Sequence, residues 1–159
     1  MSLPGPHSAG RILEWRNNVL VEREARPPIH DVLLVAFWPF WARRLRATLR
    51  ATFGASLNVR LATSLGGLFD EVGNATPDII LLGVKADRDD LARQTIQALR
   101  QFGSTSPILV VGEFRRPSKI GLGTLDGVAV IHADDVCSGS LAEGFHKAQL
   151  GTRDCRTVS

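Results

Sequence analysis

Four short runs of almost unbroken hydrocarbon constrain this chain more than any other feature: "DVLLVAF" (31–37), "DIILLGV" (78–84), "PILVVGEF" (107–114) and "GVAVIHA" (127–133). A strand with one wet face alternates apolar and polar residues. Runs without alternation are covered on both faces, as strands of a parallel sheet between two helical layers are. A fifth strand is predicted at "LNVRLA" (57–62). Between the runs the apolar period changes to that of a helix. In "WPFWARRLRATLRATFG", Pro39 suits a first turn, Trp41, Leu45 and Leu49 form an inner stripe with Phe53 at its edge, and Gly54 ends the pattern. "SLGGLFDEVGN" (64–74) predicts a short helix. "DDLARQTIQALRQFG" opens on Asp residues suited to an N-cap and turns Leu91, Thr95, Ile96, Leu99 and Phe102 inward before Gly103. "RRPSKIGLGTLDG" permits only a weak helix, and "SLAEGFHKAQL" (140–150) predicts a last one, with Ser140 and Glu143 at capping-box spacing. The alternation implies right-handed crossovers and an α/β, doubly wound, five-stranded parallel sheet. Its working crevice lies at the carboxyl ends of the strands, where strand order reverses.

Three organisational units are predicted. Residues 1–30 form a flexible N-terminus, rich in Pro, Gly and Ser at 1–10, with one amphipathic helix between that lead-in and the prolines of "RPPIH". In "GRILEWRNNVLVERE", Ile12, Trp15 and Val19 fall at helical spacing with Leu13 and Leu20 beside them; this extra N-terminal helix either packs on the domain or serves dimerisation or docking. Residues 31–150 are the domain, and 151–159 a frayed tail. A length of 159 residues with 44% hydrophobic content fits one soluble domain. No run approaches the roughly 20 residues of a membrane span, and "MSLPGPHSAG" lacks a signal-peptide pattern, so no membrane association and a cytoplasmic location are expected. Cys137 and Cys155 make neither a disulfide framework nor a metal pair. A net charge of +3 permits weak attraction to acidic partners.

The element order and several phrases over about residues 31–150 resemble the receiver domain of two-component response regulators, the CheY-like family. "PDIILLG" is similar to the family's third strand, which ends on the phosphorylated Asp; "VLLVAFWP" is similar to the first strand with its acidic pair, and "SPILVVGE" to the fourth. The resemblance implies a flavodoxin-like sheet of order 2-1-3-4-5 and a bacterial signal-transduction setting. It also locates what is missing. The acidic pair falls on Ala36 and Phe37, the phosphoacceptor on Gly83, the switch hydroxyl on Gly112, and no Lys occurs in His132–Asp134. A hard cation needs oxygen ligands and a phosphoacceptor needs a nucleophile, and these side chains supply neither. The expectation is a pseudo-receiver with no catalytic residue, metal or cofactor. Asp87, Asp89 and Asp90 read as helix-capping and loop charge.

On the first helix Arg43, Arg46 and Arg50 recur opposite the apolar stripe, with Arg44 on the flank. The stripe is either a solvated face or a docking surface. The resemblance places a signalling kinase, a phosphotransfer protein or another regulator on this helix, and basic side chains would steer an acidic partner. Arg115, Arg116 and Lys119 form a second basic cluster that, with Arg44, offers an alternative: an anionic ligand such as a nucleotide or cyclic di-GMP, with "WARR" supplying stacking and phosphate pairing. Trp38 and Phe40 read either as a plug over the vacant pocket or as a protein-binding anchor. A homodimer is the further partner expectation. No specific DNA binding is expected, since no reading motif is present and acids nearly balance bases. His132 and His146 lack ligand spacing, and neither "SLGG" nor "GLGTLDG" has the form of a phosphate loop.

Overall fold

A computed structural model describes residues 11–16, 19–24, 29–85, 88–113 and 121–157. The core strands are β3 (Asp31–Ala36), β4 (Asn58–Ala62), β5 (Ile79–Gly83), β6 (Ile108–Gly112) and β7 (Val128–His132), all parallel, in spatial order β4-β3-β5-β6-β7. Counted within the sheet this is order 2-1-3-4-5, the doubly wound flavodoxin-like α/β fold. Strand order reverses between β3 and β5, so the switch point falls at Ala36 and Gly83, which are register partners.

Double burial explains the missing alternation. Successive residues of one strand feed opposite layers: Val32 and Leu34 join the core beneath α1 (Pro39–Phe53) and the last helix, α4 (Ser138–Thr157), while Leu33 and Val35 join the core beneath α2 (Leu65–Asn74) and α3 (Asp89–Gln101). Ile79 to Leu82 of β5 and Ile108 to Val111 of β6 divide in the same way. Pro39 occupies the first turn of α1, where its missing N–H is no loss, and Gly54 ends the helix at φ 91°, a left-handed value that glycine adopts without strain. Ser64 caps α2 by accepting a hydrogen bond from the Gly67 N–H at 3.1 Å.

The sheet's N-terminal rim is polar and tied together. Arg60 donates to both carboxylate oxygens of Asp31 (Nη2 at 2.8 Å, Nε at 3.1 Å), to the Glu71 and Ala75 carbonyls and to the Glu71 carboxylate. The Asp31 hydrogen bond is the first cause raising the Arg60 pKa, against a smaller loss of hydration. Asp78 Oδ2 accepts from the His30 and Asp31 N–H groups, and Arg100 donates to the carbonyls of Ser104, Ser106 and Asp126.

Several expectations are corrected. The N-terminal segment is not a helix: β1 (Arg11–Arg16) and β2 (Val19–Glu24) pair antiparallel, with Arg16 opposite Val19. "ILEW" and "VLVE" satisfy a strand as well as a helix period, and Asn17-Asn18 is the kind of dipeptide that joins hairpin strands. The proposed dimerisation helix therefore does not exist. The last helix runs from Ser138 to Thr157, so 151–157 is no frayed tail; one Gly at position 151 costs about 1 kcal/mol in a helix and does not stop it. Ser140 is not its N-cap: its hydroxyl accepts from the Cys137 N–H at 2.9 Å, three residues earlier. Arg88 holds the N-cap position of α3 without a side-chain cap, and Asp90 stands in the first turn, where its charge suits the helix dipole. Phe102 is 54% exposed because α3 has ended, though its ring lies 5.2 Å from that of Phe69.

Candidate functional site

At the switch point the chain is filled with hydrocarbon. Ala36 and Gly83 are buried, and a Cβ built on Gly83 would stand 3.0 Å from Leu45 Cδ1, 3.7 Å from the Val35 oxygen and 3.9 Å from the Ala36 Cβ. Leu45, fully buried on the inner face of α1, takes the space in which a carboxylate would project. Gly83 is therefore a close-approach glycine: the strand gives up a side chain so that α1 can settle on it. On the α1 side Gly83 faces Leu45 and not an open space. Phe37 and Trp38 are half-buried in an edge-to-face pair, ring centroids 6.1 Å apart. Phe40, which a plug reading turns inward, is 71% exposed.

Gly112 is buried and pairs with His132 across β6 and β7. His132 Nδ1 accepts from the Asp134 N–H at 3.1 Å and so caps a short 3-10 helix, Ala133–Asp135. Among the described residues no group of three or more His, Cys, Asp or Glu is arranged to hold a metal ion.

The outer face of α1 brings together what the sequence predicts there. Arg43, Arg44, Arg46 and Arg50 are all exposed, and the helix contains no acidic residue. Arg50 Nη1 reaches the Ala55 carbonyl at 3.4 Å; among the described residues Arg43 and Arg46 have no salt-bridge partner. Arg44 is drawn elsewhere. Its guanidinium lies 5.4 Å from the centroid of the Trp41 ring, and its Nη2 is 3.5 Å from the Ala133 carbonyl. Trp41 is only half-buried, its inner place being taken by Ala42. Arg115, Arg116, Lys119 and Asp87 lie outside the described residues.

Cys137 has a character that its spacing in the sequence does not show. Cys137 is exposed at the start of α4, and its thiol is held below the ordinary range, first by the Ser140 backbone N–H, then by the Ser140 hydroxyl, with a smaller contribution from the Gly139 N–H; loss of hydration and the Asp135 charge oppose them. The signal available was its position just before a helix, where N–H groups point outward.

No family model matches the chain, and no curated protein matches it. Among the described residues, no helix is long and apolar enough to cross a membrane.

Proposed function

We propose that this protein is a pseudo-receiver: a cytoplasmic, non-catalytic signalling module that works by contact with another protein and without phosphorylation. The observation that carries the reading is the packing of Leu45 over Gly83. It puts hydrocarbon where receiver chemistry needs a carboxylate and a cation, while the helix that supplies Leu45 presents its arginines to solvent on the opposite face. The module works through α1, with Arg43, Arg46 and Arg50 as the contact residues, Trp38 at its edge, and a kinase, phosphotransfer protein or other regulator as partner.

The test has two arms. Incubation with acetyl phosphate and Mg²⁺ is expected to leave the intact mass unchanged; an acid-labile phosphoryl adduct on an Asp would refute the phosphorylation-independent reading. Affinity capture from lysate of the native organism is expected to recover a protein that is lost with an Arg43→Glu, Arg46→Glu, Arg50→Glu variant. Identical capture by both baits refutes docking through α1.

A further inference from the structure

The outward face of α1 carries more than charge. With Ala42, Leu45 and Leu49 buried, the residues opposite are Phe40, Arg44, Ala47 and Ala51, all exposed and spaced four, three and four residues apart. That spacing is how one helix presents a seam to another. Arg43 and Arg50 flank the seam on one side with Arg46 one step further round; on the other side stand the half-buried Trp41 and Thr48. Resting on the reading of α1 as a docking surface, we propose that this face seats an acidic amphipathic helix of a partner protein. The partner places Glu or Asp opposite Arg43 and Arg50 and small or medium apolar residues along the seam.

Each part of the face selects for that occupant. Phe40, 71% exposed, is an aromatic anchor at one end. Ala47 and Ala51 let a second helix approach toward the short end of the roughly 8–10 Å range of helix spacings. Arg43 and Arg50 lie about 10 Å apart along the axis, which matches carboxylates one heptad apart on a facing helix. A second copy of this chain is disfavoured, because two α1 helices would oppose arginine to arginine. Single-stranded nucleic acid is also a poor fit. It stacks on successive aromatic platforms, whereas here Arg44 already covers Trp41, leaving Phe40 as the exposed ring of the seam.

The experiment is fluorescence anisotropy of the full chain against a three-heptad peptide with Leu and Ala at seam positions and Glu flanking them. The controls are a scrambled peptide of the same composition and a single-stranded oligonucleotide. The designed peptide is expected to bind at least tenfold more tightly than either control. Affinity should fall at least tenfold with Arg43→Glu plus Arg50→Glu, and equally with Ala47→Trp, which leaves the charge unchanged and blocks the approach. All three substituted positions are exposed, so thermal melts should match the wild type. Equal binding of the scrambled peptide, tighter binding of the oligonucleotide, or indifference to Ala47→Trp overturns the proposal. So does an α1-dependent dimer at working concentration. A protein captured through α1 that has no acidic helix refutes this inference and leaves the docking reading standing; no α1-dependent capture at all overturns both.

Discussion

Placing an aspartate at position 83 should come close to unfolding the protein. The new Cβ meets Leu45 Cδ1 at 3.0 Å, and the carboxyl group beyond it enters a region lined by Leu45, Ala36 and the Val35 carbonyl. None of the three nearest atoms to that Cβ carries a positive charge. An unpaired carboxylate in such a place takes up a proton, and holding an acid of ordinary pKa about 3.9 neutral at pH 7 costs about 4 kcal/mol. A neutral carboxyl without hydrogen-bond partners adds about 1–3 kcal/mol, and displacing the buried Leu45 about 1–3 kcal/mol more. The total, about 6–10 kcal/mol, is of the order of a domain's whole stability. Gly83→Ala isolates the steric part, which is offset by the roughly 0.5–1 kcal/mol that alanine gains over glycine in a strand. Urea unfolding of both variants at pH 7 and pH 4 separates the contributions. The folded-state pKa of the introduced carboxyl is raised, so its destabilisation by charge is absent below about pH 4 and grows with pH by up to about 1.4 kcal/mol per unit. If Gly83→Asp lies within about 1 kcal/mol of Gly83→Ala at pH 7, with no pH dependence, the crevice is solvated and the filled-pocket argument fails.

Arg60→Lys should lower stability by about 1–3 kcal/mol in chemical denaturation, because an ammonium cannot span Asp31 and the Glu71 and Ala75 carbonyls together; an unchanged midpoint would show the clamp to be idle. Gly144→Ala tests packing against propensity. Helix propensity alone predicts a gain of about 1 kcal/mol, but the added Cβ would stand 2.7 Å from Ile131 Cδ1 and 2.9 Å from Leu109 Cδ1. A net loss of about 1–3 kcal/mol is expected, and stabilisation would contradict the packing. Alkylation of Cys137 by iodoacetamide should reach half its maximal rate below the ordinary thiol value of about 8.5, since the folded chain favours the thiolate. Ser140→Ala should move that midpoint upward but not fully, because the Ser140 backbone N–H remains; a midpoint that never moves would discount the hydroxyl.

The sheet was legible because double burial removes alternation, and runs as short as "IILLG" and "ILVVG" bounded by turn residues suit strands covered on both faces. Gly54 and Pro39 marked the ends of α1 for equally local reasons. What was not legible depended on contacts between distant segments. Leu45 read correctly as an inner residue of α1, but nothing nearby in sequence says that it ends above Gly83. Gly83 therefore reads from the sequence as one wall of an empty pocket, when it is packed against Leu45. The hairpin was missed because Ile12, Trp15 and Val19 serve a helical period while Val19 and Val21 serve a strand; over so short a stretch Asn17-Asn18 was the deciding signal. The arginines of α1 were visible from spacing alone. The seam of Phe40, Ala47 and Ala51 beside them emerged only once burial had fixed which side of the helix faces out.

The strand order also bears on how the chain finds this structure. Val32 pairs with Val59, about 27 positions on, and with Ile79, about 47 positions on; because loop-closure entropy grows only as the logarithm of length, the second closure costs about 0.5 kcal/mol more than the first. No pairing at the centre of the sheet is disfavoured by topology. Precedence then falls to the pairing that removes most hydrocarbon from water, and β3 with β5 offers buried residues on both sides, whereas β4 brings Asn58 and Leu61 to the surface. The seat on which Leu45 rests, Gly83 beside Ala36 and the Val35 carbonyl, is built by that central pair. Gly83 thus becomes the point where helix docking and strand pairing are timed against each other, and substitutions there should slow folding as well as weaken the folded state.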